Sequence, residues 1–179
     1  LLPSAHAVDR EFRVIRALRS TDVPVARADA LCTDDSVIGS MFYVMEFLDG
    51  RILWDPELPE LGNERRARVY DEMNRVLVAL HGVDVAAAGL ADYGQPGNYY
   101  ARQLGRWTKQ YRAAETGRIE AMEELIAWLG ERMPADDGRV VLVHGDYRLD
   151  NLMFDAAEDR IVAVLVWELS TLGHPFADL

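Results

Sequence analysis

The polar segment at residues 141–154, VLVHGDYRLDNLMF, carries the side chains in this sequence that are best suited to chemistry. Asp146 offers a carboxylate that can accept a proton from an attacking hydroxyl group. Asn151 follows closely and offers an amide oxygen, which is a hard ligand suited to Mg²⁺. The short apolar runs on both sides predict strands that would aim the two side chains at one point. The segment therefore predicts a site that joins a proton acceptor to a metal ligand.

A second explanation of the segment is that Asp and Asn only form turns, as they often do in loops. The spacing nevertheless matches the H-R-D-x-x-x-x-N loop of kinases, with Gly145 in place of arginine. His144 on its own is expected to be a structural hydrogen-bonding residue. A zinc site or a metal-dependent hydrolase is not expected, because no cysteine lies near and His81 and His174 are in different segments.

The composition limits the kind of protein that this chain can be. Its 179 residues are 50% hydrophobic, which is enough for one domain with a core or for two small lobes. The formal charge of -11 argues against a general nucleic-acid binder and would suit a cationic substrate, although it also fits ordinary solubility. No apolar run approaches the ~20 residues of a membrane span. A single cysteine, Cys32, and no recognisable secretory signal favour a cytoplasmic location.

The elements that position the segment follow from hydrophobic periodicity and turn residues. Helix and strands come first, then helices, then a small β region, which predicts an α+β fold with two halves at residues 1–50 and 51–179. Ser4 is the predicted cap of the first helix. The fourth helix is predicted to pack through Met122, Leu125, Ile126 and Leu129. The predicted helices are residues 5–19, 63–81, 99–115 and 119–133, and the predicted strands are residues 25–32, 41–48, 140–143, 152–154 and 161–165.

Five segments together resemble one known family along nearly the whole chain. They are AHAVDREFRVIRAL, SVIGSMFYVMEFLDGRIL, DYGQPGNYYARQLGRWTKQY, VLVHGDYRLDNLMF and AVLVWELSTLGHPFADL. The chain resembles the aminoglycoside phosphotransferase and choline kinase-like superfamily, and within it the branch found fused to, or encoded beside, acyl-CoA dehydrogenases. The resemblance implies a two-lobed, protein-kinase-like fold and transfer of the γ-phosphate of ATP to a small-molecule hydroxyl, with Mg²⁺.

The resemblance also implies a role for particular residues. Asp146 matches the catalytic base and Asn151 a Mg²⁺ ligand. Glu11 matches the glutamate that holds the nucleotide-binding lysine. His144 and Asp178 match positions whose expected role is structural support of the catalytic loop.

The nucleotide would meet the segment between the two lobes. Glu46, Phe47 and Leu48 match this hinge, where backbone groups would contact adenine, and Met45 would flank the adenine pocket. Without the resemblance, Met45 and Phe47 would be expected in the core, and Glu11 would be a solvated helix charge.

Three departures from the family pattern bear on activity. Lys109 is the only lysine and lies in a helix of the second half, so the sequence is expected to be a fragment that lacks the glycine-rich loop and the lysine strand. Val166 stands where the family has the aspartate that is the main Mg²⁺ ligand. Glu168 could replace it only if both side chains face one side of a strand. The second half is also expected to be incomplete, so these residues alone are predicted to be inactive.

Two kinds of acceptor and two kinds of function stay open at this point. A hydroxyacyl-CoA follows from the dehydrogenase-associated branch and from the segment GNYYARQLGRWTKQY, whereas an aminoglycoside or another cationic alcohol is favoured by the acidity. An acyl-CoA dehydrogenase could be a partner or a fused domain. The alternative to an active kinase is a non-catalytic pseudokinase that binds nucleotide or serves as an interaction module, and Val166 favours it.

Overall fold

The computed structural model describes residues 8–179, and its first element is a helix that the sequence predicts. Helix α1 spans Val8–Leu18 and packs against strands β1 (Ala28–Cys32) and β2 (Phe42–Met45), which pair antiparallel. The buried stripe of α1 consists of Phe12, Val14, Ile15 and Leu18. The predicted start of this helix, with Ser4 as its cap, lies outside the described residues.

The second half is mainly helical. Helix α2 spans Asn63–His81, as predicted, and its buried residues are Val69, Val76, Leu77 and Leu80. Helices α3 (Tyr99–Ala114) and α4 (Glu120–Glu131) contact each other as a hairpin. On the predicted packing face of α4, Met122 and Ile126 are half-buried, whereas Leu125 and Leu129 are exposed within the described residues.

Short strands complete this half and enclose the polar segment. Strand β3 (Arg51–Ile52) pairs with β5 (Leu152–Phe154), which pairs with β6 (Ile161–Val164), all antiparallel. Strand β4 (Val141–Val143) pairs with β7 (Thr171–Gly173). The sequence prediction missed β3 and β7, because Arg51–Ile52 and Thr171–Gly173 form no continuous apolar run, unlike β4 and β5.

One carboxylate ties the β5–β6 turn to the rest of the second half. Asp159 pairs with Arg51, Arg65 and Arg68, and its side chain is only 8% exposed. The hydrogen bond from Arg65 and that from Arg51 lower the pKa of the Asp159 carboxyl against the opposing effect of burial. We call Asp159 and these arginines the Asp159 cluster. Within residues 8–179, no helix combines the length and apolar character that crossing a membrane requires.

Candidate active site

The three-stranded sheet brings the predicted site segments together. The hinge residues 46–48 lead into β3, Asn151 immediately precedes β5, and Val166 follows the end of β6. Leu152 lies opposite Val164 in the β5–β6 pair. The amide of Leu165 then donates to the carbonyl of Asn151 at 2.9 Å. Residues separated in sequence are therefore placed side by side at one end of the sheet.

Asn151 holds the predicted base in place. Its Nδ2 donates to the backbone carbonyl of Asp146 at 2.8 Å and to Asp146 Oδ2 at 2.8 Å. Asn151 Oδ1 and Asp146 Oδ1 accept no hydrogen bond from the described part of the chain. Two oxygens thus stay available to a substrate or an ion. The two residues that the sequence predicted to form one site are therefore in direct contact.

Asp178 braces the start of the loop from the far end of the chain. Its Oδ2 accepts the amide of His144 at 2.9 Å, and its Oδ1 accepts the amide of Gly145 at 2.7 Å. His81 Nε2 lies 2.9 Å from Asp178 Oδ2 and ties the same carboxylate to the end of α2. Asp178 therefore fixes backbone groups of the loop.

His144 is a buried, neutral part of the framework. Its Nε2 donates to the carbonyl of Leu165 at 2.8 Å, and its Nδ1 accepts the amide of Asp146 at 3.2 Å. These partners assign the proton to Nε2. Burial lowers the pKa of His144 and outweighs the bond to Leu165 and the charges of Asp178 and Asp146. The ring packs edge-on against Trp167, with centroids 4.8 Å apart.

The glycine in the loop has a steric reason. Gly145 has a φ of +84°, in the region that glycine adopts readily, and a Cβ there would lie 2.7 Å from the carbonyl oxygen of Leu169. A side chain at this position would therefore meet backbone that cannot easily move. This close approach explains why the loop carries glycine where the kinase pattern has arginine.

Val166 has an unusual backbone for its type. Its φ is 59° and its ψ is 67°, a left-handed conformation, and its side chain is 43% exposed. A β-branched residue in this region is strained, at a cost of about 1–2 kcal/mol. Asn and Asp adopt the same region more readily. The chain therefore holds a left-handed backbone here with a residue that disfavours it.

The residues present do not fit a full Mg²⁺ site. Val166 has no oxygen, and Asn151 alone supplies an open amide oxygen. The strand that would align Glu168 with Val166 is not formed, because Trp167–Leu169 is a 3₁₀ turn in which Glu168 is exposed. Among residues 8–179, no three His, Cys, Asp or Glu side chains group in a way that could hold a metal ion.

The residues matched to the hinge differ in their contacts: the first is hydrogen-bonded to a strand, whereas the next two have unpaired backbone groups within the described residues. Glu46 supports β1, because its Oε1 accepts the amide of Arg27 at 2.6 Å and its own amide donates to the Arg27 carbonyl at 2.9 Å. Met45 is exposed, and Phe47 is 91% exposed rather than part of the core. The backbone of Phe47 and Leu48 makes no hydrogen bond within residues 8–179. The hinge therefore presents an open edge.

Glu11 lies beside the strand that leads to the hinge. Burial raises the pKa of Tyr43, and the charge of Glu11 and its hydrogen bond to Tyr43 raise it further. Glu11 thus faces β2. The sequence reasoning placed Glu11 on the first helix but gave no indication of its contact with Tyr43.

A network that the sequence did not indicate joins α1 to the segment after Val166. Arg10 donates to the carbonyl of Tyr93 at 3.0 Å and to that of Ser170 at 3.2 Å. Its guanidinium lies 4.3 Å from the centre of the Tyr93 ring. The hydroxyl of Tyr93 bonds Ser170 Oγ at 2.7 Å, and Ser170 Oγ donates to the carbonyl of Trp167. The sequence did not single out Arg10, because it is one of many arginines on the predicted helices.

A cleft is lined by residues 148–150 of the polar segment and by residues 54 and 56, which follow β3. Its volume is about 340 Å³. Its lining includes Trp54, Pro56, and the pair of Arg148 and Asp150. Tyr70, Met73 and Leu149 complete the lining. The cleft combines apolar surface with one cation and one anion.

Known proteins resemble the chain in sequence. It is 53% identical over 179 residues to Acyl-CoA dehydrogenase family member 10 of Mus musculus, covering 17% of that protein. It is 46% identical over 179 residues to Acyl-CoA dehydrogenase family member 11 of Homo sapiens, covering 23%. The chain thus spans about a fifth of the length of these curated relatives.

Solved structures resemble it as well. A candidate aminoglycoside phosphotransferase from Ralstonia eutropha superposes with a TM-score of 0.91 at 57% identity, over 98% of this chain and 53% of that one. An aminoglycoside phosphotransferase in ternary complex with streptomycin and ATP shares the fold, with a TM-score of 0.68 at 18% identity, over 94% of this chain and 57% of that one. These structures establish the α+β, kinase-like fold. Since the model of the phosphotransferase enzyme family matches residues 2–179, the chain belongs to that family.

Proposed function

We propose that the chain is the part of an ATP-dependent phosphotransferase that holds the catalytic base, and that the whole enzyme moves the γ-phosphate to a small-molecule hydroxyl. The observation that carries this proposal is the hold of Asn151 on Asp146, which leaves Asp146 Oδ1 open. A carboxylate fixed in this way can take the proton of an attacking hydroxyl while its second oxygen stays oriented by the amide. The rigid loop around it, braced by Asp178, supports the same role.

The open hinge supports a nucleotide site. Adenine needs backbone donors and acceptors, and the free backbone of Phe47 and Leu48 offers them beside the exposed side chain of Met45. The division of the chain near residue 50 into two lobes is part of the same proposal. A cytoplasmic location is a further part of it. We derive no step through Mg²⁺, because the residues present do not fit it.

The acceptor is proposed to be a hydroxyacyl-CoA-like molecule, with an aminoglycoside-like alcohol as the second choice. The names of the longer relatives support the first choice, and the aminoglycoside phosphotransferase structures support the second. The dehydrogenase name belongs to much longer chains, which favours a fused domain over a separate partner. The cleft between Trp54 and Arg148 would receive part of the acceptor.

The test is transfer of label from γ-labelled ATP to a hydroxyacyl-CoA and to an aminoglycoside, run with a full-length relative in which this chain replaces the matching segment, with either valine or aspartate at residue 166. We expect Asp146→Asn to reduce transfer by about 10²–10⁴-fold. Glu158→Gln is the control, because Glu158 is an exposed carboxylate that pairs with Arg160 and does not line the cleft. Transfer that survives Asp146→Asn, or no transfer by either chain while a relative is active in parallel, would overturn the proposal.

A second candidate function is nucleotide binding without turnover, and Val166 is the observation that favours it. The two functions separate in a thermal unfolding titration with ATP. A pseudokinase would be stabilised by ATP equally in Mg²⁺ and in EDTA and would transfer no phosphate. Stabilisation that needs Mg²⁺, together with transfer, would leave only the first function.

A further inference from the structure

We propose that this chain holds no divalent cation beside Asn151, and that the side chain of Val166 is the whole cause. The backbone of the site would then be intact, and one substitution would create the cation site. The inference deepens the proposed function and rests on it only for the class of ligand, a divalent cation that accompanies a nucleotide. Its tests need no turnover, so it can fail or stand independently of phosphate transfer.

The first step is that the surroundings, rather than the valine, set the backbone at residue 166. Leu165 on one side donates its amide to Asn151 and accepts His144 Nε2 with its carbonyl. Trp167 on the other side is buried and donates its indole N–H to the carbonyl of Val164 at 2.9 Å. Since both neighbours are fixed, residue 166 must turn through the left-handed region whatever its side chain.

The second step is that the valine adds little packing in return. Its side chain is 43% exposed, and it is absent from the buried core. A valine that is strained and poorly packed can be replaced without opening a cavity. The position therefore accepts asparagine or aspartate, which tolerate the left-handed region.

The third step concerns the ligands that an aspartate would join. Leu152 and Val164 are paired, and the Leu165 amide bonds the Asn151 carbonyl, so position 166 and Asn151 lie at the same end of the sheet. Asn151 Oδ1 is open, and Asp146 Oδ1 lies on the same loop. Val166→Asp would add a carboxylate oxygen to the amide oxygen of Asn151 and the carboxylate oxygen of Asp146. Mg²⁺ and Mn²⁺ prefer oxygen ligands of these kinds.

The backbone claim is tested by thermal unfolding in EDTA. We expect Val166→Asn to raise the midpoint by about 2–4 °C, since relief of the strain stabilises the fold. Val166→Ile is the matched control, because it keeps the branched side chain and should give no gain. If Val166→Asn unfolds no higher than Val166→Ile, the backbone is not held as proposed and the inference is wrong.

The cation claim is tested with Mn²⁺, alone and with ADP, by electron paramagnetic resonance of free Mn²⁺. We expect Val166→Asp to bind Mn²⁺ at least about tenfold more tightly than the natural chain or Val166→Asn, a difference of about 1.4 kcal/mol. Adding Asn151→Ala to Val166→Asp should remove the gain. No gain in Val166→Asp would show that the side chain is not the whole cause.

A last arm addresses Glu168, which could supply the missing oxygen from the 3₁₀ turn. The natural chain and its Glu168→Ala variant are compared in the same Mn²⁺ titration. Equal and weak binding by both is the expected result. Tight binding by the natural chain that is lost in Glu168→Ala or in Asn151→Ala would overturn the proposal, because the site would then already be complete.

Discussion

Arg10 on α1 donates a hydrogen bond of 3.2 Å to the carbonyl of Ser170, far away in the sequence. The same guanidinium donates to the carbonyl of Tyr93 and lies over the Tyr93 ring. One side chain therefore connects the helix that carries Glu11 to the segment that follows Val166. The contact sets where α1 sits relative to the catalytic loop.

Replacing Arg10 with alanine should loosen this connection. We expect Arg10→Ala to lower the free energy of unfolding by about 1.5–3 kcal/mol, because hydrogen bonds from a charged group to two carbonyls are lost. Urea unfolding measures the loss, and hydrogen exchange should show faster exchange of the amides at residues 167–171. Arg19→Ala is the control, since Arg19 is exposed just after α1, lies 3.9 Å from the Glu46 carboxylate, and should cost at most about 1 kcal/mol. Equal effects of the two variants would contradict the role of Arg10.

Asp178 should be far more important to stability than its acidic neighbours. We expect Asp178→Asn to lower the free energy of unfolding by about 2–4 kcal/mol. The NH₂ group of the asparagine would face one of the two loop N–H groups that now donate to the Asp178 carboxylate, so that N–H would lose its acceptor. Asp29→Asn is a suitable control, since that carboxylate is exposed and bonds the side chain of Arg27. Chemical denaturation of both variants provides the comparison. A cost below about 1 kcal/mol for Asp178→Asn would show that the loop is held by other contacts.

The close approach at Gly145 can be separated from its backbone conformation. Gly145 and Gly138 both have positive φ, but a Cβ at Gly138 would meet nothing within 4 Å, whereas one at Gly145 would press on the Leu169 carbonyl. We expect Gly138→Ala to cost about 1–2 kcal/mol from conformation alone. Gly145→Ala should cost clearly more, because collision with backbone is added. Denaturation midpoints of the two variants give the difference, and equal midpoints would mean that the loop can shift away.

His144 should make the fold sensitive to mild acid. Burial lowers its pKa in the folded chain, so above its ordinary pKa of 6.5 the imidazole is neutral in both states and its contribution is fully present. As the pH falls from 6.5 through the folded pKa, the unfolded chain takes up a proton that the folded chain resists. The free energy of unfolding therefore decreases, by at most about 1.4 kcal/mol per pH unit.

The His144→Gln variant tests this dependence. We expect it to be less stable than the natural chain at about pH 7.5 and to lose less stability between about pH 7 and pH 5, because the titrating group is gone. Urea unfolding at several pH values gives both slopes. A slope unchanged by the substitution would assign the acid sensitivity to other groups.

The sequence was sufficient for the features that depend on local pattern. The spacing of Asp146 and Asn151 predicted that their side chains point to one place, and in the structure the Asn151 amide donates a hydrogen bond to the Asp146 carboxylate. Helix α2 was predicted with its observed bounds, because its apolar residues repeat at helical spacing. These features are set by residues close together in the chain.

The sequence was insufficient where distant parts of the chain meet or where a residue opposes its own preference. The bond of Arg10 to Ser170 joins segments that no local pattern connects. The predicted strand ends at residue 165, and nothing in the sequence indicated that Val166, a β-branched residue, would turn into the left-handed region between its fixed neighbours. The strand that would let Glu168 replace the missing aspartate is absent for the same reason.

The Asp159 cluster makes the chain unequally tolerant of change. One carboxylate serves three guanidiniums, so the loss of any single arginine leaves two partners in place. Loss of Asp159 instead leaves positive charges crowded around an empty centre. Substitutions at residues 51, 65 and 68 can therefore be accepted one at a time, whereas no other residue can take over the role of Asp159.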